Sequence, residues 1–435
     1  MTQRPHLLLI ALFFPPSRAS GVFRPLAMAN YFATQGWRVT VITVTPEFFD
    51  DITGSSDSSL EDFIDKAVTV ERVPLPAGHL QTDVRKLSWI RVNFPKPAAH
   101  WDTIRGKFFP DRYTSWIPGV VRRALRVHRR QRIDVTLATG NPWSAFEAAR
   151  LISKVTRTPY VLDYRDSWTL SQFSESEAFG ADHPAQQAER RVIDDAGRVV
   201  FVNEPMRAWH AAKYPEAEPN MMVLENGYDP ELVPSPPFRV PDAAVPLRFG
   251  SVGTITEHWP HDAAWPGWIL ARNHPELTGA TAHLYGHLGF FPAAAERIKK
   301  MLPPASAGIT WEGAVPKAQL TAVYGSLDVI IMPIPSSRYV TAGKVYECMA
   351  TGKPIVAIHS PETAASDPLR GYPLWFPVHE LTADAVEDAL VAGARAARAV
   401  TEDQYREALA HASKYTRHRL LQPFEKEIRG LLDVD

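Results

Sequence analysis

Apolar residues fall in short unbroken runs along this chain, separated by amphipathic stretches. Residues 6–12 (HLLLIAL) read as a strand buried on both faces. After a loop at 13–21 (FFPPSRASG), residues 22–35 carry Val22, Leu26, Ala29 and Ala33 at helical spacing. Phe23, Met28 and Phe32 widen that stripe. Gly36 marks the helix end, and Arg38–Val44 (RVTVITV) is the next strand. Strand, helix and strand with a glycine in the first loop form the opening unit of a doubly wound parallel sheet. The pattern predicts further strands at 134–138, 160–163 and 198–202, and a helix at 144–155. Residues 46–115 are irregular and rich in Pro, Asp and Ser, which predicts an insertion over the sheet.

A second series begins after the proline-crowded stretch 230–246 (PELVPSPPFRVPDAAVP), the best linker candidate. Strands are expected at 247–252, around 283–285, and at 309–312, 329–332 and 355–358. Helices fall between them at 292–301, 317–324 and 344–350. A final helix, 404–432, has a break near 415–418 that would let it return to the first domain. The expected fold class is α/β, with two doubly wound domains, 1–235 and 236–415, and a terminal helix, 416–435.

Composition narrows the function classes. The 435 residues carry a formal net charge of -1 and a pI near 7.0, so no global basic field exists to hold nucleic acid. Cys348 is the single cysteine, which excludes an intrachain disulfide and predicts a reducing, cytoplasmic setting. No apolar stretch approaches the roughly 18 residues of a membrane span. Arg4 and the apolar residues 7–14 mimic a short signal peptide, but Pro15-Pro16 ends the run and a first strand is the better reading.

Residues 342–357 (AGKVYECMATGKPIVA) carry the chemistry. A helix is expected to begin near Gly343, where amide N–H groups lack helical partners and positive potential collects. Gly343 allows close approach of a ligand, and Lys344 adds a charge suited to phosphate. Glu347 lies one turn on, where a carboxylate can accept two hydroxyl hydrogen bonds from a ribose diol. A capped helix with an i, i+3 Lys–Glu pair explains the same residues without a ligand.

The segment resembles the signature of family 4 glycosyltransferases of the GT-B fold, in the subgroup with a Pro-Ser-Lys-x-x-Glu-Tyr-Met-Ala-x-Gly-Lys-Pro pattern. Other stretches resemble that family in order and spacing. They are Gly21-Val-Phe-Arg24, Asp163-Tyr-Arg-Asp-Ser-Trp168, Glu225-Asn-Gly-Tyr-Asp229 and the three turns 249–253, 285–289 and 313–320. The resemblance implies two Rossmann-like domains facing an interdomain cleft. It implies metal-independent transfer of a sugar from a nucleotide-diphosphate donor, with retention of configuration and domain closure that limits donor hydrolysis. It places Glu347 on the ribose, and Lys344 with the amides of Thr341, Ala342 and Gly343 on the diphosphate. Ala314 and Val315, after Gly313, would border the base, and Gly21 would admit the diphosphate or donor sugar. No cofactor beyond the co-substrate is implied; the acceptor is a small molecule or a lipid-linked one.

The chain departs from the family at three places. Tyr339 replaces the Glu common eight positions before Glu347. The turn Gly253-Thr-Ile-Thr-Glu-His-Trp-Pro-His261 has no Arg or Lys to grip phosphate, which leaves Thr254 or His258, with Arg338, as substitutes. No His follows the strand at Thr139-Gly-Asn-Pro-Trp143, so Asn141 or Asp166 is expected to take part of that catalytic role beside Lys344. On the acceptor side the candidates are Arg24, Arg165 and Trp168, with Arg165 read as structural.

Pro260 separates His258 from His261, which argues against a zinc site. The basic run RRALRVHRRQR, from Arg122 to Arg132, has an apolar side at Val120, Val121, Ala124, Leu125 and Val127. A solvated helix face on the sheet is its default reading, and contact with an anionic membrane or lipid-carrier phosphate is the sharper one. The rival functions are a nucleotide-sugar epimerase and a non-catalytic sugar-nucleotide-binding subunit. A nicotinamide dehydrogenase fits poorly, because no Gly-x-Gly-x-x-Gly follows the first strand.

Overall fold

The computed structural model describes residues 4–76, 110–289 and 292–432. The chain forms two compact units, Met1–Leu224 with Leu421–Asp435, and Glu225–Leu420.

The first unit is built on a seven-stranded parallel sheet in the order β3-β2-β1-β4-β5-β6-β7. The strands are β1 (His6–Ile10), β2 (Arg38–Val44), β3 (Val68–Val73), β4 (Val135–Gly140), β5 (Tyr160–Tyr164), β6 (Arg198–Phe201) and β7 (Met221–Val223). Leu7 to Ile10 of β1 are fully buried, as a central parallel strand requires. Helices α1 (Phe23–Thr34), α2 (Ile117–Arg130), α3 (Ser144–Thr156), α4 (Pro184–Asp194) and α5 (Glu204–Lys213) fill the connections. The strand order reverses between β1 and β4, the switch point where such sheets bind ligands beyond the strands' carboxyl ends.

The second unit repeats the plan. Its six-stranded parallel sheet runs β10-β9-β8-β11-β12-β13. These strands are β8 (Arg248–Val252), β9 (Thr281–Tyr285), β10 (Ile309–Gly313), β11 (Val329–Pro333), β12 (Ile355–Ile358) and β13 (Trp375–Pro377). One apolar layer, with Phe249, Trp268 and Leu390, covers one face; another, with Ile330, Tyr346 and Met349, covers the other. Its switch point lies between β8 and β11.

The structure corrects several expectations. Within 46–115 the chain is not wholly irregular: VTVERV forms β3, an edge strand whose pairing with β2 runs from Val39↔Val68 to Val44↔Val73. Residues 77–109 lie outside the described residues. The proline-rich 230–246 stretch is no free linker. Tyr405 donates its hydroxyl to the Pro236 carbonyl, Phe238 packs on the second core, and Arg239 pairs with Asp328. Its prolines rule out helix but leave side chains free to pack. The 17-residue helix Ala383–Ala399, capped by the Thr382 side chain, and the strand β13 were not expected. The break expected near 415–418 in the terminal helix is present, between Glu402–Ser413 and Arg417–Gly430. From Leu421 the chain packs in the first unit, where Trp37 donates its indole N–H to Glu425 at 2.6 Å.

Candidate functional site

At the carboxyl edge of the second sheet, three turns lock together. The Gly253 amide donates to the Tyr285 carbonyl (2.8 Å), and the Gly286 amide to the Gly313 carbonyl (2.7 Å). Gly286 has φ 147, and a Cβ there would overlap the Gly253 carbonyl, so only glycine lets these turns cross. Gly253 has φ 127, and a Cβ on it would stand 3.5 Å from the Lys344 side chain.

Lys344 opens a short helix, Lys344–Met349, whose Val345, Tyr346, Cys348 and Met349 are buried. That leaves Lys344 and Glu347 together on the less buried face. The Lys344 ammonium donates to the Pro333 carbonyl (3.0 Å) and sits 4.7 Å from the ring centre of the buried Trp259. Burial lowers its pKa to about 8, and burial also raises the Cys348 thiol to about 12. Gly343 has φ -57 and nothing within 4 Å of where a Cβ would be, so its lack of a side chain leaves open space rather than relieving strain.

Glu347 does not pair with Lys344. Its Oε1 accepts from Lys317 Nζ at 2.6 Å, and both side chains are 19% exposed. The i, i+3 pair foreseen as the plain alternative is therefore absent, and a lysine from the β10 turn takes its place. Thr341 is buried, its carbonyl accepting from Asn226 Nδ2 at 3.0 Å; Ala342 is half-buried. Thr254 and Val315 are half-buried, whereas His258 and Ala314 are exposed. Arg338 is exposed and stacks over its neighbour Tyr339. His261 is buried, bonded to the Thr256 carbonyl and to the Trp265 indole N–H.

At the carboxyl edge of the first sheet, charge is used to join loops. Arg24 lies in α1, 5% exposed, and its Nε and Nη2 donate to Asp163 Oδ1 at 3.0 and 2.7 Å. Asp163 is fully buried at the end of β5 and also accepts from the Thr139 hydroxyl (2.9 Å). Arg165 donates to three carbonyls: Gly140 (3.2 Å), Gly21 (2.8 Å) and Asn141 (2.6 Å). A Cβ on Gly21 would overlap that guanidinium, so the glycine makes room for a protein side chain. Trp168 is 5% exposed and stacks on Trp143 with the planes 8° apart.

Arg24 and Trp168, expected on the acceptor side, both have protein partners here. An aspartate buried at a strand end requires a counter-charge, and Arg24 supplies it; Trp168 is core. Asp166 and Asn141 are brought together, with Asn141 Nδ2 donating to Asp166 Oδ2 at 3.2 Å. Burial raises the Asp166 pKa against the opposing pull of Arg165. Lys317 and Trp259, which the sequence reading gave no role, stood inside the turns quoted above. Only the sheet brings them to Glu347 and Lys344.

Residues 24–227 match the family model described as a glycosyl transferase 4-like domain. No curated protein sequence matches the chain significantly. Solved structures match it over nearly its whole length. An Anabaena protein, HepE, in complex with UDP and glucose is 14% identical and aligns over 98% of this chain and 100% of its own, with a TM-score of 0.61. A Thermosynechococcus elongatus sucrose-phosphate synthase is 13% identical over 99% and 100%, with a TM-score of 0.65. A Rickettsia africae glycosyltransferase is 13% identical over 99% and 100%, with a TM-score of 0.64. The fold is thus that of the GT-B glycosyltransferases, two parallel-sheet Rossmann-like α/β domains.

The buried ion pair yields a stability test. Replacing Arg24 with Met leaves the Asp163 carboxylate uncompensated and should destabilise the first unit by about 3–5 kcal/mol. Urea unfolding followed by tryptophan fluorescence measures this. A loss below about 1 kcal/mol, the range of exposed pairs, would contradict the assignment.

Proposed function

We propose that the protein is a glycosyltransferase that moves a sugar from a nucleotide-diphosphate donor to an acceptor, and that the donor binds at the carboxyl edge of the second sheet. One observation carries this reading: at the switch point the crossed glycine turns lie against a half-buried lysine, and a carboxylate stands on the same helix face. The domain match and the solved structures of the same fold support it, among them one holding UDP and glucose.

In this reading Lys344 and the amides of Thr341, Ala342 and Gly343 take the diphosphate, Glu347 takes the ribose, and the turn after Gly313 borders the base. Negative charge grows on the departing diphosphate as the sugar–oxygen bond breaks. A fixed ammonium stabilises that charge more in the transition state than in the ground state. The acceptor is assigned to the first unit, with Asp166 and Asn141 as the polar pair that orients it. Retention follows by same-face attack, the departing diphosphate oxygen taking the acceptor's proton; no metal has a role in this scheme. Both features rest on the family resemblance.

The setting is read as cytoplasmic, in keeping with the buried, unpaired Cys348. Arg122, Arg126, Arg129 and Arg130 form the exposed side of α2, while Val120, Ala124 and Val127 are buried. That face supports peripheral contact with an anionic membrane or lipid-linked acceptor. Among the described residues no helix is long and apolar enough to cross a membrane.

The depressed Lys344 pKa gives a pH signature. The ammonium is charged below about pH 8 and loses its proton above it. Diphosphate favours the charged form, so binding takes up a proton near pH 8. Affinity for UDP-glucose, whose own phosphates do not titrate there, should fall toward a limit of about tenfold per pH unit at higher pH. Calorimetry across pH 7–9.5 reads this slope, which Lys344→Met should abolish; a flat wild-type profile would count against Lys344 as the diphosphate ligand. The two assigned carboxylates should also separate. Glu347→Ala should weaken UDP-glucose binding about tenfold or more, whereas Asp166→Ala should lower turnover and leave donor affinity within about twofold. Unchanged donor affinity in Glu347→Ala would sink the ribose assignment.

A further inference from the structure

Lys317 lies in the short 3₁₀ turn Lys317–Gln319 that follows β10, and Glu347 lies in the helix after β11. Their side chains meet at 2.6 Å, each about four-fifths shielded from solvent. Oε1 of the carboxylate takes the ammonium; among the described residues no donor is bound to Oε2. An ionised carboxylate has about four lone-pair sites, so one ammonium contact leaves room for two hydroxyls. Glutamate also has three rotatable side-chain bonds, and ordering it on binding would cost entropy unless something already holds it.

A second consequence is electrostatic. Glu347 stands one helical turn from Lys344 on the same face. An uncompensated carboxylate there would oppose the approach of a diphosphate. With Lys317 on Oε1 the carboxylate is neutralised locally, and the Lys344 charge is what an anion meets.

We propose that Lys317 is the positioning residue of a nucleoside subsite: it fixes Glu347 in one orientation and offsets its charge. The pair then reads a ribose diol where a lone carboxylate would read it poorly. This inference rests on the glycosyltransferase reading above and adds a specificity to it. The subsite takes a ribonucleoside diphosphate and discriminates against the 2′-deoxy form. Lys317 acts through Glu347, so its loss should change which sugar the subsite prefers and not only how tightly it binds.

The test uses the full chain and calorimetry. Wild type is titrated with UDP, ADP and GDP, then with the 2′-deoxy counterpart of whichever binds most tightly. The ribo form should bind about tenfold better than the deoxy form, the worth of one hydrogen bond to a charged group. Lys317→Met should weaken the ribo form about tenfold and shrink the preference to about threefold or less. Lys317→Arg, which keeps the charge and donors, should restore most of the preference, and this guards against a variant that simply misfolds. An unchanged ribo-to-deoxy ratio in Lys317→Met, or a ratio that Lys317→Arg fails to restore, would overturn the positioning role while leaving the glycosyltransferase reading intact. Failure of wild type to bind any of the three diphosphates would overturn that reading and this inference with it.

Discussion

A half-buried lysine whose ammonium lies over an indole ring is the constraint on which the second unit's site depends. Taking that charge partly out of water is unfavourable, and one carbonyl and one ring face offset only part of the penalty. The result is an ammonium whose proton is easier to remove than usual. Such a group gains from an anion more than a solvated lysine would, because the local dielectric is low. The surrounding backbone is arranged around it. Gly253 passes close to its side chain, Gly286 lets the next turn cross behind, and Pro333 at the end of β11 takes the hydrogen bond.

The first unit uses its charges differently. Arg24, Asp163 and Thr139 form a buried network tying α1 to the ends of β4 and β5. Arg165 then joins the loops after β1, β4 and β5 through three carbonyls. Both arginines sit in a motif that reads as ligand-binding, and both donate to protein acceptors. Asp166 is the group left beside this scaffold, held by Asn141 and raised in pKa by burial. A rigid frame around one adjustable carboxyl suits the orientation of an acceptor hydroxyl.

The fold was legible wherever burial on both faces imposed a continuous apolar run, as in β1, β2, β11 and β12. It was illegible where the physics is weaker in sequence. The strand β3 carries Glu71 and Arg72 in an edge position, and β7 has only three residues. The helix Ala383–Ala399 is small-residue rich, so its buried stripe of Val386, Leu390 and Ala394 stands out little against its alanines. At the site, Lys344 and Glu347 were legible because both lie on one helix at a fixed spacing. Lys317 and Trp259 were not, because parallel strands bring their turns together and no local spacing records it. The partners of Arg24 and Trp168, Asp163 and Trp143, were hidden for the same reason: the sheet sets them.

A crystal of the protein soaked with UDP-glucose tests the central claim most directly. The account predicts a diphosphate within hydrogen-bond reach of the Lys344 ammonium and a ribose hydroxyl on the Glu347 carboxylate. Nucleotide density elsewhere on the protein, with Lys344 still bound only to the Pro333 carbonyl, would contradict it.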